Sequence, residues 1–125
     1  PKIQINQMPA TQAFTPSVAV AADGTVGVTY YDFRNNTPAP GLPTDYWFVH
    51  CHAATQDCTH PGSWSSETHV AGPFDMETAP DAAGYFVGDY EGLARSGNAF
   101  VAFFAMANSG NLANRTDIFA STLHP

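Results

Sequence analysis

The chain has 125 residues, 44% of them hydrophobic and 13% aromatic, with only 12% charged side chains and a formal net charge of −7. That length fits one ordinary domain with material for a core, and the 11 acids against 4 bases disfavour nucleic acid or an anionic membrane surface as a partner. No apolar run approaches the roughly 18 residues of a membrane span, and the 10 glycines and 10 prolines favour short strands and turns over long amphipathic helices.

The chain opens on Pro1 with no basic-then-apolar leader, which reads as a processed product or a piece of a longer polypeptide. Residues 2–7 (KIQINQ) are strand-like, an outer strand of a preceding unit or one that closes the last unit. Residues 17–21 (SVAVA) then run into Asp23-Gly24, a strong two-residue hairpin signal. Residues 25–32 (TVGVTYYD) put Val26, Val28 and Tyr30 on one face and Gly27, Thr29 and Tyr31 on the other. Neither face is strongly polar, so this strand is expected to be covered on both sides. The loop over residues 32–44 carries Asp32, Arg34, Asn35 and Asn36, and residues 44–48 (TDYWF) and 64–70 (WSSETHV) read as third and fourth strands.

Between those two strands lies HCHAATQDCTH, residues 50–60. A hairpin there would bring the Cα atoms of Cys51 and Cys58 within disulfide range. Two cysteines in an acidic, exported-looking chain favour that bond. Zinc is the rival, because His50, Cys51, His52, Cys58 and His60 supply its ligand types, although strand alternation sets His50 and His52 opposite Cys51.

A second round begins at residues 90–94 (YEGLA), 73 positions after residues 17–21. Ser96-Gly97 then falls on Asp23-Gly24, and Ala99, Val101 and Phe103 fall on Val26, Val28 and Tyr30, with Ala105 at the place of Asp32. An offset of 72 carries residues 44–48 onto 116–120 (TDIFA) and His52 onto His124. Repeated short antiparallel strands predict an all-β chain of β-propeller blades. The expected blades are about two, of a four-stranded kind: residues 14–71 and 84–125, the second reaching Pro125 before a fourth strand of its own, with residues 1–7 as the outer or closing strand. Two blades cannot form a ring, which takes roughly 4–8. Further copies, or the remaining blades of a longer chain, are expected to cover the open apolar flanks.

Those stretches, PSVAVAADGTVGVTYYDFRNN, SWSSETHVAGPFDMETAP, GYFVGDYEGLARSGNAFVAFFAMAN and TDIFAST, resemble the blades of sialidase-like proteins with bacterial neuraminidase repeats. The resemblance runs from about Phe14 to Thr122 and is most specific in GYFVGDYEGLA and the YYDFR strand end. It implies a secreted bacterial β-propeller, commonly of six blades, in a superfamily of glycan hydrolases and non-catalytic members. The family's Asp-box, Ser/Thr-x-Asp-x-Gly-x-x-Trp/Phe, is absent in strict form, and Ala21-Ala22-Asp23-Gly24 keeps only its turn. A sialidase holds its substrate carboxylate with three arginines and uses a Tyr–Glu nucleophile pair and an Asp acid/base. The arginines here are Arg34, Arg95 and Arg115, none in the context of the first member of that triad.

In an up-and-down blade, the loops before the first strand and after the second open on one side. That side gathers the 72–84 loop with Asp75, Glu77 and Asp81, the 32–44 loop, and GDYEG at residues 88–92. Alternation sets Asp89 and Glu91 on one face, a pair suited to a cation such as calcium or to a sugar hydroxyl. Tyr90 beside Glu91 echoes the sialidase nucleophile, so Tyr90, Glu91 and Asp32 form the candidate catalytic set. Arg34, Asp89 and Asn35 are the candidate ligand-binding residues, Arg34 for an anionic sugar. Structural readings stand beside each: Asp89 capping amides, Tyr90 packed between blades, and Asp32 paired with Arg34. The expected function is a secreted module that recognises carbohydrate, with or without turnover; the alternatives are an exo-sialidase fragment and a structural subunit of a surface assembly.

Overall fold

Hairpin chemistry sets the topology in a computed structural model that describes residues 2–125. Strand β1 (Ala13–Val20) turns into β2 (Thr25–Asp32) through Ala22-Asp23-Gly24. Gly24 adopts φ +86°, a left-handed conformation that glycine takes without steric cost, and the Asp23 carboxylate accepts the Thr25 amide at 2.9 Å. With β3 (Pro43–His52) and β4 (Thr68–Asp75) these strands make one antiparallel sheet in the order β1-β2-β3-β4. A second antiparallel sheet holds β5 (Gly92–Ser96), β6 (Ala99–Ala107) and β7 (Thr116–Leu123) in sequence order. Neither sheet closes on itself.

Two expected strands differ. Residues 2–7 form no strand, although Ile5 packs against Val28, Tyr30 and Val49. The fourth strand starts at Thr68 rather than at residue 64 and runs on to Asp75. A short 3-10 turn, Pro61–Ser63, occupies the preceding stretch, and the Trp64 indole there donates to the Cys58 carbonyl at 3.1 Å. Among the described residues the second sheet has three strands and no fourth.

The repeat survives, in a shifted register. The first hairpin loop has three residues, with Ala21 N–H donating to the Thr25 carbonyl at 2.8 Å; the second has two, since Ser96 pairs with Ala99. Asp32 pairs with Asp45, and Met106 pairs with Asp117. With Thr44-Asp45 matched to Thr116-Asp117, the counterpart of Asp32 is Met106, not Ala105. A one-residue slip moves every side chain to the other face, so the faces of β6 exchange relative to the simple 73-residue spacing.

The sheets share one core, and they meet through faces that are not equivalent. The first sheet turns Gly27, Tyr31, Tyr46 and Phe48 inward, and the second turns Phe100, Ala102 and Phe104 inward. Ring centroids lie 4.5 Å apart for Tyr46 and Phe104 and 5.6 Å apart for Phe48 and Phe100, close aromatic contacts. In the corrected register Phe100, Ala102 and Phe104 correspond to Val26, Val28 and Tyr30, which lie on the outward face of the first sheet. The first strands of the two sheets touch: the Ser17 hydroxyl donates to the Glu91 carbonyl, and Ala22 N–H to the Gly97 carbonyl at 2.9 Å. Both contacts advance the same way along the chain, so β1 and β5 lie parallel across the seam.

Gly27 leaves the space that Phe100 fills. A Cβ there would stand 2.9 Å from both the Phe100 and Phe48 rings. Gly27→Ala is therefore expected to destabilise the fold by about 1–3 kcal/mol through overpacking, read as a lower midpoint in urea unfolding.

Candidate functional site

Two of the charged side chains expected to meet a ligand, Asp32 and Arg34, are occupied by one another. Asp32 ends β2 fully buried, and Arg34 folds back over the outward face of the first sheet to reach it. Arg34 Nε donates to Asp32 Oδ2 at 2.9 Å, Nη2 to the same oxygen at 2.7 Å, and Nη1 to Glu67 Oε2 at 2.7 Å. The guanidinium stacks on Trp47, 3.6 Å from the ring centroid, and the Trp47 indole donates to Asp32 Oδ1 at 3.0 Å. Glu67 accepts further bonds from the Tyr30 hydroxyl and, at 2.8 Å, from the Gln7 amide.

Burial works against charge on Arg34, but Asp32 and Glu67 outweigh it and hold the guanidinium pKa above its usual value. Burial likewise pushes Glu67 upward, and its bonds from Arg34, Tyr30 and Gln7 bring it below the usual carboxylate range. Arg34 thus has both polar edges spent within the sheet. Asn35 is occupied too: its amide donates to Asp45 Oδ2 at 2.8 Å, while Asp45 Oδ1 meets His69 Nε2 at the same distance. Arg34→Met would strand two carboxylates and is expected to cost about 3–5 kcal/mol in denaturant unfolding.

The GDYEG corner leads into β5. Gly88 takes φ +126°, a conformation strained for any other residue, at the head of this corner. Asp89 is exposed, Tyr90 is 91% exposed, and Glu91 is half-buried at the seam. The tyrosine brought to Glu91 is Tyr31 rather than Tyr90. Tyr31 is fully buried, and its hydroxyl proton goes to the Ala105 carbonyl at 2.6 Å. Burial raises its pKa, with the neighbouring Glu91 adding to the rise. Glu91 Oε1 is left buried with no hydrogen-bond partner. Burial pushes the Glu91 carboxyl up to about 7; the Tyr31 hydroxyl and the Ala105 amide oppose the shift, but neither satisfies Oε1.

A shallow depression of about 170 Å³ lies beside this corner, walled by Val87, Tyr90, Gly92, Phe103 and Ile118. Asp32 contributes to the Arg34 cluster, on the outward face of the first sheet, and its carboxylate bonds are made within that cluster. No group of three or more His, Cys, Asp or Glu side chains is arranged to hold a metal among the described residues. Cys51 and Cys58 form a disulfide with Cα atoms 6.0 Å apart, which leaves neither as a thiolate for zinc. No helix among the described residues is long and apolar enough to cross a membrane.

Tyr31 was hidden from the sequence. Its contact with Glu91 depends on which face of β2 turns toward the second sheet, and strand alternation alone does not say. No family model, curated protein or solved structure matches the chain.

Because the Glu91 pKa is raised from 4.5 to about 7 by folding, the native state holds this proton more tightly than the unfolded chain does. The associated stability is fully present below about 4.5 and is lost as pH rises through about 7. Glu91→Gln removes this dependence. The thermal midpoint of the variant is expected to gain on the wild type steadily from about pH 5 to about pH 8, where the wild type must bury a charge.

Proposed function

We propose that the chain is a pair of neighbouring blades of a secreted sialidase-like propeller, and that it recognises glycans without hydrolysing them. Support for the blades comes from two meandering sheets that stack through non-equivalent faces with their first strands parallel across the seam. That is how successive blades follow one another around an axis. The disulfide fits an oxidising compartment.

The observation that carries recognition is Tyr90. An aromatic ring 91% exposed, on the rim of a depression, offers a flat apolar surface for the C–H face of a sugar. Support for the absence of turnover is equally local. The Tyr–Glu pair that forms is Tyr31 with Glu91, and Tyr31 is sealed in the core. Arg34, just past the end of β2, is neutralised by two acids. A nucleophile must reach its substrate, and a carboxylate-binding arginine must have its fork free.

A glycan array with the folded chain is expected to show binding to at least one carbohydrate class, weakened tenfold or more by Tyr90→Ala. Silence across sialylated and neutral glycans removes the recognition reading. Hydrolysis of a fluorogenic sialoside, abolished by Glu91→Gln, would replace it with the enzyme.

A further inference from the structure

Packing through non-equivalent faces leaves one unpaired copy of each face at the two ends of the chain. On the first sheet the outward face shows an open valine strip: Val18 is 65% exposed and Val20 51% exposed, with Val26 beside them. Ile5, Trp47 and Trp64 cover the other half of that face, packing on Val28, Tyr30 and Val49. On the second sheet the outward face carries Ala94, Val101, Phe103 and Ile118, with Phe103 47% and Ile118 74% exposed. Exposed apolar strips of this kind mark surfaces that meet a partner.

We propose that these two faces bind each other between copies of this chain, head to tail, repeating its internal seam. The seam itself shows what each face accepts. The exposed strip on the first sheet is the counterpart of residues that the second sheet buries: Val26 stands where Phe100 stands, and Val18 where Leu93 stands. The exposed strip on the second sheet is the counterpart of residues that the first sheet buries: Val101 stands where Gly27 stands, and Ile118 where Tyr46 stands.

Sizes compensate in the same register. Inside the chain, Gly27 receives Phe100; between copies, Val101 would receive Val26, so a small-with-large pair becomes two of intermediate size. Total volume is kept, and volume-conserving exchanges are the ones that well-packed interfaces tolerate. Contact runs along β1 of one copy and the outward face of β5, β6 and β7 of the next, as β1 runs along β5 within one copy. Because the two surfaces differ, the association is heterologous; it grows until rotation closes a ring, and about three copies would bring six sheets. The next copy would also wall the open side of the depression beside Tyr90, since Phe103 and Ile118 belong to both.

The test is the mass of the 125-residue chain in solution by sedimentation velocity across a concentration series. The wild type is expected to assemble beyond the monomer. Val18→Glu and Ile118→Glu, each at an exposed site, are expected to stay monomeric alone. Mixed in equal amounts they are expected to form a dimer and nothing larger, because each retains the face the other lacks. Val20→Glu and Phe103→Glu form a second pair should either first variant lose its thermal transition. A wild type that is monomeric throughout overturns the proposal, as does either variant that assembles like the wild type, or a mixture that yields no dimer. Mass rather than ligand binding is read, so failure here and failure of glycan recognition are distinguishable.

Discussion

The packing of unlike faces governs the molecule. Had the two sheets met through equivalent faces, the pair would have been a sandwich with two like exteriors and no direction. Instead Gly27 and Tyr46 of one sheet receive Phe100 and Phe104 of the other, which correspond to residues the first sheet keeps outside. A stack of this kind has a direction, and its hydrophobic requirement is met in the middle while recurring at each end. The position of Glu91 follows from the same fact. It sits where β5 starts against β1, and there the seam encloses its carboxylate beside Tyr31.

The charged residues divide between the two sides of that seam. Arg34, Asp32 and Glu67 form a closed unit on the outward face of the first sheet, with Tyr30 and Trp47 completing their bonds. Buried acids without partners would be costly, and each of these has several. The chain is acidic overall, yet its most buried acids are spent on structure, and the acids left to meet solvent are those of loops such as Asp89.

Much of the architecture was legible. Period-two alternation located the strands, glycine next to aspartate located a hairpin, and the spacing of Cys51 and Cys58 indicated their bond. The register was not legible, because the first hairpin loop has one residue more than the second and a fixed spacing absorbs that difference silently. The cost was a wrong face for the whole of β6 and a wrong counterpart for Asp32. The site was less legible than the fold. Residues two apart at a strand end, Asp32 and Arg34, do converge, as alternation says. Which tyrosine reaches Glu91 depends on contacts between sheets: Tyr90, next in sequence, points to solvent, and Tyr31 arrives from β2.

The chain carries two tryptophans, Trp47 under the Arg34 guanidinium and Trp64 bonded to the Cys58 carbonyl. Trp47 lies in β3, and Trp64 packs on the outward face of the same sheet. Indole emission therefore watches one half of the molecule, and the departure of β5, β6 and β7 from the seam would pass almost without an optical trace.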